Sequence, residues 1–252
     1  MKNLRIAWLF PDTLYLHGER GNILALQRIA KLKGLETSVD RIDFGTENFN
    51  PMDYDIIFCP PGEIVSFPVV LEYLKPLADA FAEFIRAGKV LLATGTSMAL
   101  WCKEVQRADG SSFAGLGVID AAAKENSAVY GDDVYFRCKY GNREVEVIGN
   151  QIQMADFVSD GASAFGQLIY GYGNTGKDRQ EGFLIENAIF TNALGPMLVT
   201  NPWLTEEIIA VAAEKAGLVL NDEELDVSLE QESFAAKKRY IEGKESRLTN
   251  CR

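Results

Sequence analysis

Histidine is almost absent from this chain: one residue, His17, in 252. That excludes a histidine-rich metal site and leaves a single imidazole for acid–base work. Cysteine is scarce as well. Cys59, Cys102, Cys138 and Cys251 are scattered without a C-x-x-C pair, so neither a zinc site nor a disulfide framework is indicated. Asp12, Asp156 and Asp160 lack the spacing of a metal site, and no cofactor is implied. Basic residues are outnumbered, 25 against 36 acidic, for a net charge of −11. Such a surface repels phosphate backbones and argues against a nucleic-acid partner. No run approaches the roughly 18 consecutive apolar residues of a membrane span. The N-terminus starts basic, but its apolar run Ile6–Phe10 stops at Pro11-Asp12. It reads as a first strand rather than a secretory signal, and a cytoplasmic protein is expected.

What is present is an α/β pattern. Arg5–Phe10 predicts a strand, and Ile23–Lys33 a helix with Ile23, Leu26, Ile29 and Ala30 on one face and Gly34 as its C-cap. Thr37–Ile42 and Asp55–Cys59 predict further strands. Leu71–Ala87 predicts a long helix with a kink at Pro76. Val90–Ala93 is a fourth strand, followed by a helix from about Ser97 to Lys103. This alternation predicts a mostly parallel sheet with helices on both faces. Beyond about residue 110, short strands at Gly117–Ile119, Val134–Lys139, Glu144–Ile148, Ser163–Ile169 and Gly182–Ile185 suggest added antiparallel pairing, with a turn at Tyr140-Gly141-Asn142. Ile189–Asn192 returns as a strand. Thr205–Ala216 reads as a helix N-capped by Thr205, with Glu206 and Glu207 in its first turn. Residues 1–217 are expected to form one domain, and 218–252 a charged helical appendage. Phe234, Tyr240 and Ile241 are its docking candidates, Asn221–Glu232 forms a solvated helical face, and the last ten residues fray.

Ligands of open parallel sheets gather at the carboxyl ends of the strands. Loops 11–22, 60–67 and 94–97 all leave that edge. They bring His17, Glu19, Arg20, Asn22, Gly62, Glu63, Thr94, Thr96 and Ser97 toward one cleft. The stretch K-V-L-L-A-T-G-T-S-M-A-L-W, residues 89–101, is a strand, a sharp turn and a helix, the arrangement that lifts a nucleophile out of a sheet. Its apex reads as Thr94. The turn serves either as a simple N-cap through Thr96 or Ser97, or as a hydroxyl-lined pocket for a small anion. The loop from His17 to Asn22 is either a capped loop, with Arg20 paired to Glu19 or Glu63 and Asn22 capping the helix, or a ligand or partner contact. Cys59 and Cys102 read as buried in a strand and a helix. Cys59, before Pro60-Pro61, is a distant candidate nucleophile.

Several segments together resemble the cobyric acid synthase type of class I glutamine amidotransferase, most closely its lipid II isoglutaminyl synthase branch. They are L-F-P-D-T-L-Y-L-H-G-E-R-G-N-I-L-A-L, G-Y-G-N at 171–174, Q-E-G at 180–182 and T-N-A-L-G-P-M-L-V-T-N-P. The resemblance spans roughly residues 4–213 and implies a flavodoxin-like class I amidotransferase fold. It also implies glutamine hydrolysis by a cysteine, a histidine and an oxyanion hole, with ammonia delivered to a partner synthetase. Carried over residue by residue, it sets Thr94 at the cysteine position and Leu194 at the histidine position. Pro60, Pro61 and Gly62 stand for the glycine-rich strand end, where prolines remove two N–H donors. Leu92 and Thr96 flank the elbow where small residues are usual, and Gly149–Gln153 replaces an acid- and histidine-bearing segment. The resemblance thus implies an amidotransferase-like protein whose glutaminase machinery is missing and which binds a Mur-ligase-like, ATP-dependent synthetase. A surviving amide hydrolase with a substitute nucleophile (Thr94, Ser97, or Cys59 with His17 as base) and a binder of a small amide or acidic ligand remain open beside it.

Overall fold

The computed structural model describes residues 3–250, with side chains through residue 244; Cys251 lies outside the described residues. Its centre is a six-stranded sheet. The strands are β1 (Asn3–Leu9), β2 (Glu36–Ile42), β3 (Ile56–Cys59), β4 (Val90–Thr94), β11 (Phe183–Ile185) and β12 (Ala188–Thr191). Their order is β11-β12-β4-β3-β1-β2, parallel throughout except for β11 at one edge. β3, β4 and β12 are buried along their whole length and apolar but for the terminal Thr94 and Thr191, as strands covered on both faces are.

Helices cover both faces. On one face lie α1 (Arg20–Leu32) and α6 (Pro202–Lys215), which share an apolar cluster with Leu4, Ile6, Phe58 and Leu92. On the other lie α2 (Phe67–Leu74) and α3 (Ala78–Arg86), packed with Ala7, Leu9, Ile57 and Leu91. Gly34 ends α1 at φ 79°, where glycine takes the left-handed turn without strain. The long helix expected over 71–87 starts earlier, at Phe67, and a 3-10 turn at Lys75–Leu77 interrupts it, because Pro76 has no N–H to continue the ladder.

Three expectations need correction. The helix after β4 is only α4 (Met98–Trp101), and Cys102 opens strand β5 (Cys102–Gln106) instead of lying in a helix. α6 begins at Pro202 rather than Thr205. The Asn201 side chain pins that start to residue 148, accepting from the Ile148 N–H (3.0 Å) and donating to its C=O (2.8 Å), while Thr205 is buried inside the helix. Residues 218–227 are irregular; the C-terminal helix α7 starts only at Ser228 and continues to Asn250, so residues 243–250 of the end expected to fray are helical, and 251–252 lie outside the described residues.

A second sheet is inserted between β4 and β12. Its strands are β5, β6 (Ser112–Ala114), β7 (Ile119–Tyr140), β8 (Arg143–Val158), β9 (Gly166–Tyr170) and β10 (Gln180–Glu181). β5 and β6 were not foreseen. β7 and β8 merge short predicted strands into one long hairpin, turning at Tyr140-Gly141-Asn142 with Gly141 at φ 58° and irregular between Glu125 and Tyr130. The joint between the sheets is polar and buried. Glu181 takes the Thr191 hydroxyl (2.6 Å), the Asn192 N–H (2.8 Å) and the Asn192 amide (3.0 Å). Asn174 bonds both the N–H and the C=O of Gly182, and Gln151 holds the backbone of Tyr172 and Gly173. The G-Y-G-N and Q-E-G segments therefore meet in one hydrogen-bonded seam.

Candidate functional site

Loops 11–22, 60–67 and 94–97 do converge at the carboxyl edge of the central sheet. The Leu16 N–H donates to the Pro61 carbonyl at 3.1 Å. Thr96 Oγ1 donates to the Gly62 carbonyl (2.6 Å) and accepts from the Gly62 N–H (3.2 Å). Ser97 Oγ lies 2.9 Å from the carbonyls of both Cys59 and Thr94. These hydroxyls brace the 59–62 loop and do not cap α4, so the N-cap expectation for Thr96 and Ser97 is corrected. With Pro60 and Pro61 lacking N–H groups, Gly62 has the one amide donor of this strand end, and Thr96 takes it.

The apex of the turn is Gly95, not Thr94. Thr94 is still extended, at φ −117° and ψ 143°, the last residue of β4. Gly95 has φ 58°, the left-handed conformation of a sharp strand-to-helix turn, which glycine adopts without strain. A Cβ at Gly95 would lie 2.9 Å from Leu194 Cδ2 and 3.2 Å from Pro61 Cβ. The space in front of the apex is therefore filled by Leu194, which is itself buried and backed by a two-residue bridge to Asn150 (Asn150 N–H to Leu194 C=O 3.0 Å, the reverse 2.8 Å). Leu14 lies against Gly62 on the other side.

Beside this filled apex sits a buried carboxylate. Glu19, 1% exposed, accepts from three segments: the Gly195 N–H at 2.9 Å, Thr94 Oγ1 at 3.2 Å and the Asn22 side-chain amide at 2.6 Å. No cation pairs with it among the described residues. Burial raises its pKa to about 7, against the lowering effect of the three donors. Asn22 does not cap a helix beginning at Ile23; it lies inside the first turn of α1, and its Oδ1 accepts the Leu198 N–H at 2.9 Å. Glu19 and Asn22 together stitch the start of α1 to β4 and to the segment after β12.

The other expected cleft residues do not join. Arg20 is exposed and pairs with neither Glu19 nor Glu63, and Glu63 is exposed at the head of a 3-10 turn. His17 is half-buried at φ 62°, its pKa lowered by burial, with no hydrogen bond to Thr94 or Glu19. Cys59 is fully buried, and burial pushes its thiol up to about 12, which removes it as a nucleophile. The reading of the sequence missed Gly95 and Gly195. A glycine directly after a buried strand is the available signal for the first; for the second, proximity to Glu19 exists only in the fold.

An α/β architecture with a mostly parallel central sheet, antiparallel additions and a strand–turn–helix elbow is the class I glutamine amidotransferase arrangement. The solved structure of PurLQS from Thermotoga maritima shares the fold at a TM-score of 0.52 and 14% identity, covering 86% of this chain and 97% of that one. Two curated proteins are similar in sequence. The lipid II isoglutaminyl synthase (glutamine-hydrolyzing) subunit GatD of Staphylococcus aureus is 26% identical over 90% of this chain and 91% of its own length. The protein of the same name from Streptococcus pneumoniae is 26% identical over 84% and 81%. No protein-family model matches the chain. These similarities support a class I glutamine amidotransferase-like family.

Proposed function

We propose that this chain is a glutamine amidotransferase-like subunit without glutaminase activity, acting as a binding or regulatory subunit of a Mur-ligase-like, ATP-dependent synthetase. The observation that carries the reading is the elbow. Its apex is a glycine, and Leu194 and Pro61 occupy the space a nucleophile's side chain would enter. The donors and bases of acyl transfer are wanting as well. The Gly62 N–H is engaged by Thr96, and His17 makes no hydrogen bond to the turn. Loss of even one such group typically costs thousands-fold in rate. A synthetase partner is supported by the relatives' name, which is that of a subunit of a synthase. Residues 1–217 are read as the amidotransferase-like unit and 218–252 as its appendage.

The test is ammonia release from glutamine by the pure protein, alone and with any synthetase that co-purifies. None is expected in either setting. Ammonia that disappears in Thr94→Ala overturns the reading. One contact favours a second reading, in which Glu19 serves as base to Thr94: the 3.2 Å hydrogen bond between them, beside a carboxyl that titrates near neutrality. That reading requires Glu19→Gln to abolish whatever ammonia the wild type releases. The complete burial of Thr94 counts against it.

A further inference from the structure

α7 crosses the outer face of β7, β8 and β9 by one stripe of side chains: Phe234, Lys237, Lys238, Ile241 and Lys244, spaced at helical repeats. Its two apolar anchors are Phe234, set edge-on to Tyr135 and Trp203, and Ile241, buried with Tyr135 and Ile148. Tyr240, the third expected anchor, is exposed. The other side-chain contacts are mostly ionic, besides Lys237 donating to Asn150 Oδ1 (3.4 Å) and Glu230 pairing with Arg28 of α1 (3.4 Å). Lys237 pairs with Asp133 (2.6 Å), Lys238 with Glu146 (2.9 Å), and Lys244 with Asp132 (2.6 Å) and Asp133 (3.0 Å). Lys238 and Lys244 also lie over the rings of Tyr135 and Tyr170.

We propose that this acidic, aromatic face is a docking surface for a lysine-rich amphipathic helix of a partner protein, and that α7 is its exchangeable occupant in cis. Charge complementarity selects the partner. The face presents Asp132, Asp133 and Glu146 around Tyr135, Ile148 and Ile169, in a protein of net charge −11. It therefore rejects acidic helices and accepts basic ones carrying large apolar residues seven positions apart. The hold on α7 is of a kind that can be exchanged. The pairs of Lys238 with Glu146 and of Lys244 with Asp132 are part-exposed, a kind that is individually weak and salt-screened, while Asp133 is buried beneath Lys237 and Lys244; the irregular 218–227 segment tethers α7, with Leu218, Leu220 and Leu225 packed on the α1 and α6 cluster. Elements held in this way open at free energies far below global unfolding. The proposal is independent of the glutaminase question, and its failure leaves the ammonia assay untouched.

The probe is a labelled synthetic peptide of residues 228–250 added to the full chain, read by fluorescence anisotropy at about 50 mM and about 500 mM salt. The lysine-reversed chain (Lys237→Glu, Lys238→Glu, Lys244→Glu) loosens its own strap and leaves the face intact. It is expected to bind the peptide at least about tenfold tighter than wild type, more weakly at high salt, and not at all once Asp132→Lys and Glu146→Lys are added. Equal or absent peptide binding in the wild type and the lysine-reversed chain overturns the proposal. Amide exchange on the wild type decides independently of whether the variants fold. Faster exchange in residues 228–244 than in Val90–Thr94, accelerated by salt, supports the proposal; protection equal to that of the central strand overturns it.

Discussion

Glu19 makes the stability of the fold depend on pH. Its carboxyl rises from an ordinary value near 4.5 to about 7 because burial penalises the anion. Between those values the native state holds a proton that the unfolded chain has released, so stability falls as pH rises. The penalty is absent below about 4.5 and complete above about 7, and this shift corresponds to about 3 kcal/mol. Urea midpoints of the wild type are expected to fall across that window, whereas Glu19→Gln, whatever its own midpoint, loses that component of the slope. An unchanged slope in the variant would refute the assignment. The sequence placed Glu19 at the right edge of the sheet but not as the hub. An acidic residue next to an arginine reads as a surface pair, and only the close approach of Gly195 and Thr94 removes it from water. Thr94 itself shows the limit of motif alignment. It is a strand residue, and the left-handed position of the turn falls one residue later, on a glycine.

Among the elements, those built from local pattern were legible and those built from long-range pairing were not. β1 to β4 and α1 appear within a few residues of their expected ends, because apolar runs and glycine caps are written locally. The second sheet was read as fragments, since β7 is mostly polar where its outer face meets solvent and its continuity comes from pairing with β5, β8 and β9. The start of α6 was misplaced because its anchor is Asn201 bonded to residue 148, a contact no spacing rule encodes. Asn201→Ala is expected to cost about 2–3 kcal/mol, because it leaves the buried Ile148 N–H unpaired. Chemical denaturation measures this directly, and a loss below about 0.5 kcal/mol, the range of neutral surface changes, would show that the contact is dispensable.

At the scale of the molecule, both apolar clusters draw on both sheets. Ala121, Ala123 and Phe157 pack with Leu91 and Phe190, while Val134 and Phe136 share the other cluster with Leu92 and Ile189. The hydrogen-bonded seam of Glu181, Asn174 and Asn192 closes the same joint. The two sheets are therefore expected to unfold in one transition. Tryptophan fluorescence, reporting on Trp8, Trp101 and Trp203, and far-ultraviolet circular dichroism should give coincident urea curves; separated midpoints would mean that the inserted sheet melts alone.

The order of strands also sets a timetable for synthesis. β4 takes its last sheet neighbour from β12, and Ala188 pairs with Leu91 only after the whole inserted sheet has been translated. Until then a strand edge apolar from Val90 to Ala93 stands open on the nascent chain, a ready template for pairing with a neighbour. The insertion that enlarges the fold thus lengthens the interval during which the chain is most prone to aggregate, and a ribosome stalled before Ala188 would hold it there.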